Sequence, residues 1–385
     1  MLELLWLLLP VAAASGWWAA ARSLERKETP PNDVFRGLNY LLDEKPDRAI
    51  EVFGRMVEAD PDAVDIQLTL GSLFRRRGEV DRALHIHSEL LRRAQLSAGQ
   101  RGRARLELGE DYLRAGLFDR AEQLFSELLE LPDYRSRALV RLLSIYEQER
   151  EWQRALDACD EVERATGTPM RIVAAHYCCE LAEEAVRASD RATARSWLDR
   201  ALVHDERCAR AAILRGRLEL SDGNPAGALD AYTRVVTRAP EYLPEVLGPL
   251  QRCYAQLHRQ ADWVTLLRGL VNQYHVGSVT GALAQALRER EGPEAALVFL
   301  EAEVAQHPST EGLRTLIDLR LAAEQPARAG DLELLLRIGR QVTDLGPRYR
   351  CDNCGFVGRT LHWSCPSCKR WNTVKPIPDR LRRNP

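Results

Sequence analysis

Arg105–Phe125 reads RLELGEDYLRAGLFDRAEQLF, the unit from which most of the chain is built. It places Gly109, Tyr112, Gly116, Ala121 and Phe125 at spacings of 3, 4, 5 and 4, the pattern of two short amphipathic helices meeting at a tight turn around Ala115–Phe118. Neither helix can bury its apolar face alone. Gly116 can take the positive φ of the turn, while Gly109 and Ala121 are small enough to let two helix backbones approach. Tyr112 and Phe125 are expected to fill the space beside them.

The unit recurs. The small residue of the second helix falls at Ala49, Ala83, Ala121, Ala155, Ala194, Ala228, Trp263 and Ala296, in steps of 34, 38, 34, 39, 34, 35 and 33 residues. A period of 34 is that of the tetratricopeptide repeat. Gly37, Gly71, Gly109 and Gly216 fall into register in the first helices, with Tyr40, Phe74, Tyr112 and Tyr146 following, and Phe53, Phe125 and Tyr232 in the second helices. Pro61, Pro240 and Pro308 close their units. The steps of 38 and 39 place extra residues near Gln95–Gly102 and Thr166–Arg171, where helix signals weaken. The last two units are degenerate, since Trp263 replaces the small residue and the first-helix Gly is absent. The expectation is an all-α solenoid of about eight repeats over residues 34–308, which grows by stacking and needs no single large core.

Composition agrees with a helical, water-facing body: 29% of the 385 residues are charged, 6% are aromatic, and the net charge of −2 gives no general bias toward nucleic acid. The N-terminus differs. Leu4–Ala21 is an 18-residue run without a charge, about 27 Å long as a helix and close to the roughly 30 Å hydrocarbon core of a bilayer. Trp17 and Trp18 suit one membrane interface, and Arg22, Arg26 and Lys27 follow the run, so the positive-inside rule puts the downstream chain in the cytoplasm. A cleaved signal peptide and a buried helix are the alternatives; only Glu3 precedes the run where a signal needs positive charge. Residues 1–21 are therefore expected to be a transmembrane anchor and residues 22–33, containing Pro30 and Pro31, a cytoplasmic linker. Residues 309–345 carry two further helical patterns, parted at Gln325 and Pro326, that would cap the array.

Residues 346–385 hold the strongest chemical signal. Cys351, Cys354, Cys365 and Cys368 form two CxxC pairs separated by ten residues, the arrangement that gives one ion a tetrahedral shell of four thiolates. Gly355 after the first pair and Pro366 within the second suit knuckle turns whose amides face sulfur. Two disulfides are the alternative, which a cytoplasmic location opposes. Zinc and a single iron both accept this shell. So short a tail cannot build an ordinary core, so the ion's first role is structural, with Tyr349, Phe356, Trp363 and Trp371 expected around it. His362 is read as a non-ligand.

Nothing else suggests catalysis. Cys159, Cys178, Cys179, Cys208 and Cys253 sit at helical positions without metal spacing and read as small buried hydrophobes. His85 and His87 lie two apart on a helix and so on different faces. There is no phosphate-cradling Gly loop or HExxH sequence, and the carboxylates read as spread over solvated faces. From Gly346 to Pro385 nine Lys or Arg face two Asp, so this tail suits anionic lipid or an acidic partner.

The opening MLELLWLLLPVAAASGWW, the repeats LTLGSLFRRRGEVDRALHIH and LGEDYLRAGLFDRAEQLF, and the ending RYRCDNCGFVGRTLHWSCPSCKRWNTVKPI together resemble the lipopolysaccharide assembly protein B family of Gram-negative bacteria. The resemblance spans essentially the whole chain, and the CDNCG and CPSCK knuckles are similar to those of rubredoxins and zinc ribbons. It implies a single-pass inner-membrane protein with its bulk on the cytoplasmic side. It also implies a non-enzymatic adaptor for the membrane protease FtsH that promotes degradation of the deacetylase LpxC, alongside other lipopolysaccharide-pathway membrane proteins. The alternatives are a general envelope-assembly scaffold and a rubredoxin-type electron carrier; nucleic acid is disfavoured as a partner.

Overall fold

The computed structural model describes residues 31–60, 62–93, 95–323 and 347–378. The 18-residue apolar run, Trp17, Trp18, Arg22, Arg26 and Lys27 lie outside these residues, as does the second capping pattern. Among the described residues no helix is long and apolar enough to cross a membrane.

The described chain forms helices α1 (Pro31–Leu42), α2 (Pro46–Ala59), α3 (Val64–Arg77), α4 (Val80–Arg92), α5 (Ala98–Ala115), α6 (Phe118–Leu128) and α7 (Pro132–Glu149). There follow α8 (Trp152–Thr166), α9 (Arg171–Arg187), α10 (Arg191–His204), α11 (Ala209–Ser221), α12 (Pro225–Arg238), α13 (Leu243–Gln256), α14 (Gln260–Tyr274), α15 (Gly277–Glu291), α16 (Pro293–Gln306) and α17 (Thr310–Ala323). Strands β1 (Tyr349–Cys351), β2 (Val357–Gly358) and β3 (Val374–Pro376) end the chain as an antiparallel sheet in the order β2-β1-β3. Of the described residues, those up to Glu151, with 164–167, form one compact unit; 152–163 and those from 168 onward form another.

The eight period-marking positions fall one in each even-numbered helix from α2 to α16. Their seven alanines are completely buried, and Trp263 is nearly so. The close approach they permit is completed by a ring: a Cβ added to Gly37 would lie 2.6 Å from Phe53, on Gly109 2.8 Å from Phe125 and on Gly216 2.5 Å from Tyr232. Real Cβ contacts do not come so near, so these glycines are fixed by the ring sixteen residues on. Phe125 alone fills the space at Gly109. Tyr112 instead lies half-buried under the Arg120 guanidinium, 5.7 Å from its ring centre. Arg82 covers Phe74 in the same way at 3.9 Å, and Arg48 covers Tyr40 at 5.8 Å.

The turn at Gly116 is as read, with φ 75° and its N–H bonded to Leu113 and Tyr112 carbonyls. Two boundaries differ. Pro31 begins α1 instead of lying in the linker, because proline's fixed φ and missing N–H suit a first helical turn. The extra residues before Gly102 lengthen α5 by a turn where a loop was expected. Ser97 starts that turn with a reciprocal cap: its hydroxyl accepts from the Gln100 amide and its N–H donates to Gln100 Oε1. Gly102 is fixed in that helix by Tyr134, whose ring would lie 2.6 Å from an added Cβ, and the Tyr134 hydroxyl donates to the Gly99 carbonyl at 2.9 Å.

Candidate metal centre

Each CxxC pair sits on a knuckle of the same design. In the first, the Gly355 N–H donates to the Cys351 carbonyl and the Cys351 N–H to the Phe356 carbonyl. In the second, Lys369 donates to Cys365 and Cys365 to Arg370. The residue closing each knuckle has positive φ, 76° at Gly355 and 59° at Lys369, so the lysine holds a backbone conformation that costs an L residue about 1 kcal/mol. β1 pairs with both neighbours, setting Cys351 opposite Val374. Cys351, Cys365 and Val374 make a small buried core with Tyr349, Phe356, Leu361 and Cys368 against it.

The four sulfurs all lie within 4.8 Å of one another, with Cys351 to Cys368 at 3.8 Å and Cys354 to Cys365 at 3.7 Å. A tetrahedral ion with metal–sulfur bonds of about 2.3 Å sets neighbouring sulfurs about 3.8 Å apart, so the residues fit such an ion closely. The electrostatics favour thiolate at two positions: the Thr373 hydroxyl and the knuckle amides hold Cys351 well below the ordinary thiol range, and the Arg370 amide lowers Cys368. Burial pushes Cys365 up, a cost that a bound cation removes. His362 Nε2 lies 3.0 Å from the Thr360 hydroxyl, apart from this set.

Two aromatics expected around the ion point elsewhere. Trp371 stacks on His176 of α9 at 5.3 Å and meets Tyr177 edge-on at 5.8 Å and Trp152 at 6.1 Å. Trp363 lies 5.2 Å from Tyr242 and 5.9 Å from His176. The Tyr242 hydroxyl donates to Asn372 Oδ1 at 3.0 Å and accepts from Lys375 Nζ at 2.9 Å, and Tyr349 donates to Glu245 at 2.5 Å. Both tryptophans leave the ribbon because its core is already filled by two cysteines and Val374. They dock it onto α8, α9 and the turn at Tyr242 before α13, which is why α9 carries a buried histidine. Burial, then the Arg210 and Lys375 charges, lowers His176 to about 3, so it is neutral there.

Reading every carboxylate as solvated missed Asp111, which is fully buried. It accepts from Arg75 at 2.7 Å and lies 2.5 Å from His87 Nδ1, while Arg75 also donates to Glu107 at 2.6 Å. His87 takes the place at Gly71 that Phe53 and Phe125 take at Gly37 and Gly109. The remaining five cysteines are all buried, as expected.

Residues 349–376 match the family model described as a rubredoxin metal binding domain, and 40–106, 106–168 and 179–242 match tetratricopeptide repeat models. Lipopolysaccharide assembly protein B of Escherichia coli (strain K12) is 39% identical over 384 residues, covering 98% of each chain. The Haemophilus influenzae protein of that name is 32% identical over 392 residues, again with 98% of each covered.

Proposed function

Because this chain belongs to the lipopolysaccharide assembly protein B family, we propose that it is a non-catalytic, membrane-tethered scaffold in lipopolysaccharide assembly, which brings the deacetylase LpxC to the membrane protease FtsH. One observation carries this reading: the likeness runs through repeats and ribbon together, over 98% of both chains. A single-pass anchor at residues 1–21 with the repeats on the cytoplasmic side confines the client-binding surface to one membrane face. Confinement raises the effective concentration of client beside protease without any new contact.

The ribbon's part in this scaffold is mechanical. Zinc or iron on Cys351, Cys354, Cys365 and Cys368 would tie the two knuckles together and hold all four sulfurs as thiolates. The protein does the rest: β1 registers the first knuckle against β3, Trp363 and Trp371 anchor the ribbon to the repeats, and Lys375 bridges Tyr242 and Asn372. Electron transfer is the weaker reading, because the docking makes the ribbon an extension of the repeats, whereas a carrier must meet its redox partners.

Removing residues 1–21 is expected to leave the fold intact and abolish LpxC turnover in cells. Normal turnover with the truncated chain would refute the tether. Pairing Cys365→Ser with Cys368→Ser is expected to remove the bound metal and lower regulation, and unchanged metal content would count against the four-sulfur assignment.

A further inference from the structure

Two imidazoles and a carboxylate converge where α14 and α16 end. His275 follows the last turn of α14 with φ 49°, and His307 follows that of α16, one turn beyond Glu303. The two rings stack at 3.7 Å and 20°. His275 Nδ1 lies 3.5 Å from Glu303 Oε1, too long for a hydrogen bond, and neither atom has a hydrogen-bond partner although both are buried. One ligand atom from each residue lies within 4.8 Å of the others.

We propose that His275, Glu303 and His307 form a second metal site, for a divalent transition ion of the zinc class. Two imidazole nitrogens with one carboxylate oxygen form a donor set that zinc and other divalent first-row ions accept, and it is unlike the four-sulfur ribbon. The separation of 3.5 Å is close to the roughly 3.3 Å that a tetrahedral ion with bonds of about 2.0 Å imposes on two ligands, and binding would open the ring stack, turning His307 outward until its nitrogen faces the ion. Two helix C-termini meet there, and their partial negative charge adds to the carboxylate in favouring a cation. Glu303 also lines an open groove with Arg268, Glu291, Phe299 and Gln306, a way in for an ion from that side. A bound ion would clamp the end of α14 to the end of α16 and so stiffen the last two helix pairs.

The test is a cobalt(II) titration of the full, untagged chain in detergent, followed by visible absorption, with bound zinc counted in parallel. The ribbon gives sulfur-to-metal charge-transfer bands. The expected second step adds ligand-field bands without them, and one further equivalent of zinc per chain. His275→Ala with His307→Ala, and separately Glu303→Gln, are expected to weaken the second step at least about tenfold while the charge-transfer bands persist; a lost ligand removes a metal–ligand bond outright. Cys365→Ser with Cys368→Ser is expected to do the reverse. A wild-type chain with no second step overturns the site, as does a second step that survives either His or Glu substitution.

Discussion

Lowering the pH should loosen the ribbon from the repeats, and His176 sets the size of the effect. The docked state holds this ring neutral between Trp363 and Trp371, with Arg210 and Lys375 opposing protonation and its own value lowered to about 3. Once undocked and solvated, the ring moves back toward the free value of about 6.5, relieved of burial and of Lys375 while Arg210 of α11 stays in place. Protons therefore bind the undocked state preferentially, so the docking free energy is intact above about pH 6.5 and declines as pH falls through that value. At pH 5.0 the ring is about 1.5 pH units below its free value, which costs docking about 2 kcal/mol, or about thirtyfold in the docked-to-undocked ratio. Hydrogen exchange of ribbon peptides reads this ratio. Because acid also protonates the cysteines, His176→Phe is the control. It keeps an aromatic plane between the tryptophans and should lose about 2 kcal/mol less protection than wild type between pH 7.5 and 5.0. An equal loss in both proteins would refute the argument.

Other substitutions probe separate parts of the account. Trp371→Ala removes a ring packed on three aromatics and should cost the docked ribbon about 3–5 kcal/mol, seen as proteolysis of the tail with the helical circular dichroism unchanged. Gly216→Ala drives a methyl into Tyr232 and should lower stability by about 1–3 kcal/mol in urea unfolding, whereas Gly54→Ala, which meets nothing within 4 Å, should not. Asp111→Ala strips buried His87 of its carboxylate partner while Arg75 keeps Glu107, and should cost about 1–3 kcal/mol by the same assay. Lys369→Gly relieves the positive φ of the second knuckle and should raise zinc affinity about fivefold in chelator competition; no gain would mean that the lysine side chain compensates the strain.

The array was legible because a tetratricopeptide unit is local: a small residue, a ring sixteen positions from a glycine and a turn glycine all fall within one period. The ribbon was legible because CxxC pairs announce their chemistry over eighteen residues. Docking was not, since Trp363 and Trp371 look like core for a tail short of hydrophobes, and nothing in their spacing points to Trp152, His176 or Tyr242. His87 had a readable signal, since it occupies the ring position of its repeat, and a polar ring there demands a buried partner. Its partner Asp111 had none, because it lies on the next repeat beside Glu107 and Glu110, from which nothing in the sequence sets it apart. The cluster at His275 and His307 was hidden for a related reason: the two lie 32 residues apart and meet only because consecutive second helices end side by side.

The proposed scaffold would speed destruction of a client by bringing it to a membrane protease. FtsH reconstituted in lipid vesicles, given purified LpxC and ATP, should degrade LpxC faster when the full-length chain is inserted in the same vesicles, and the gain should disappear with the chain lacking residues 1–21. An LpxC half-life that is the same with and without the full-length chain would contradict the account.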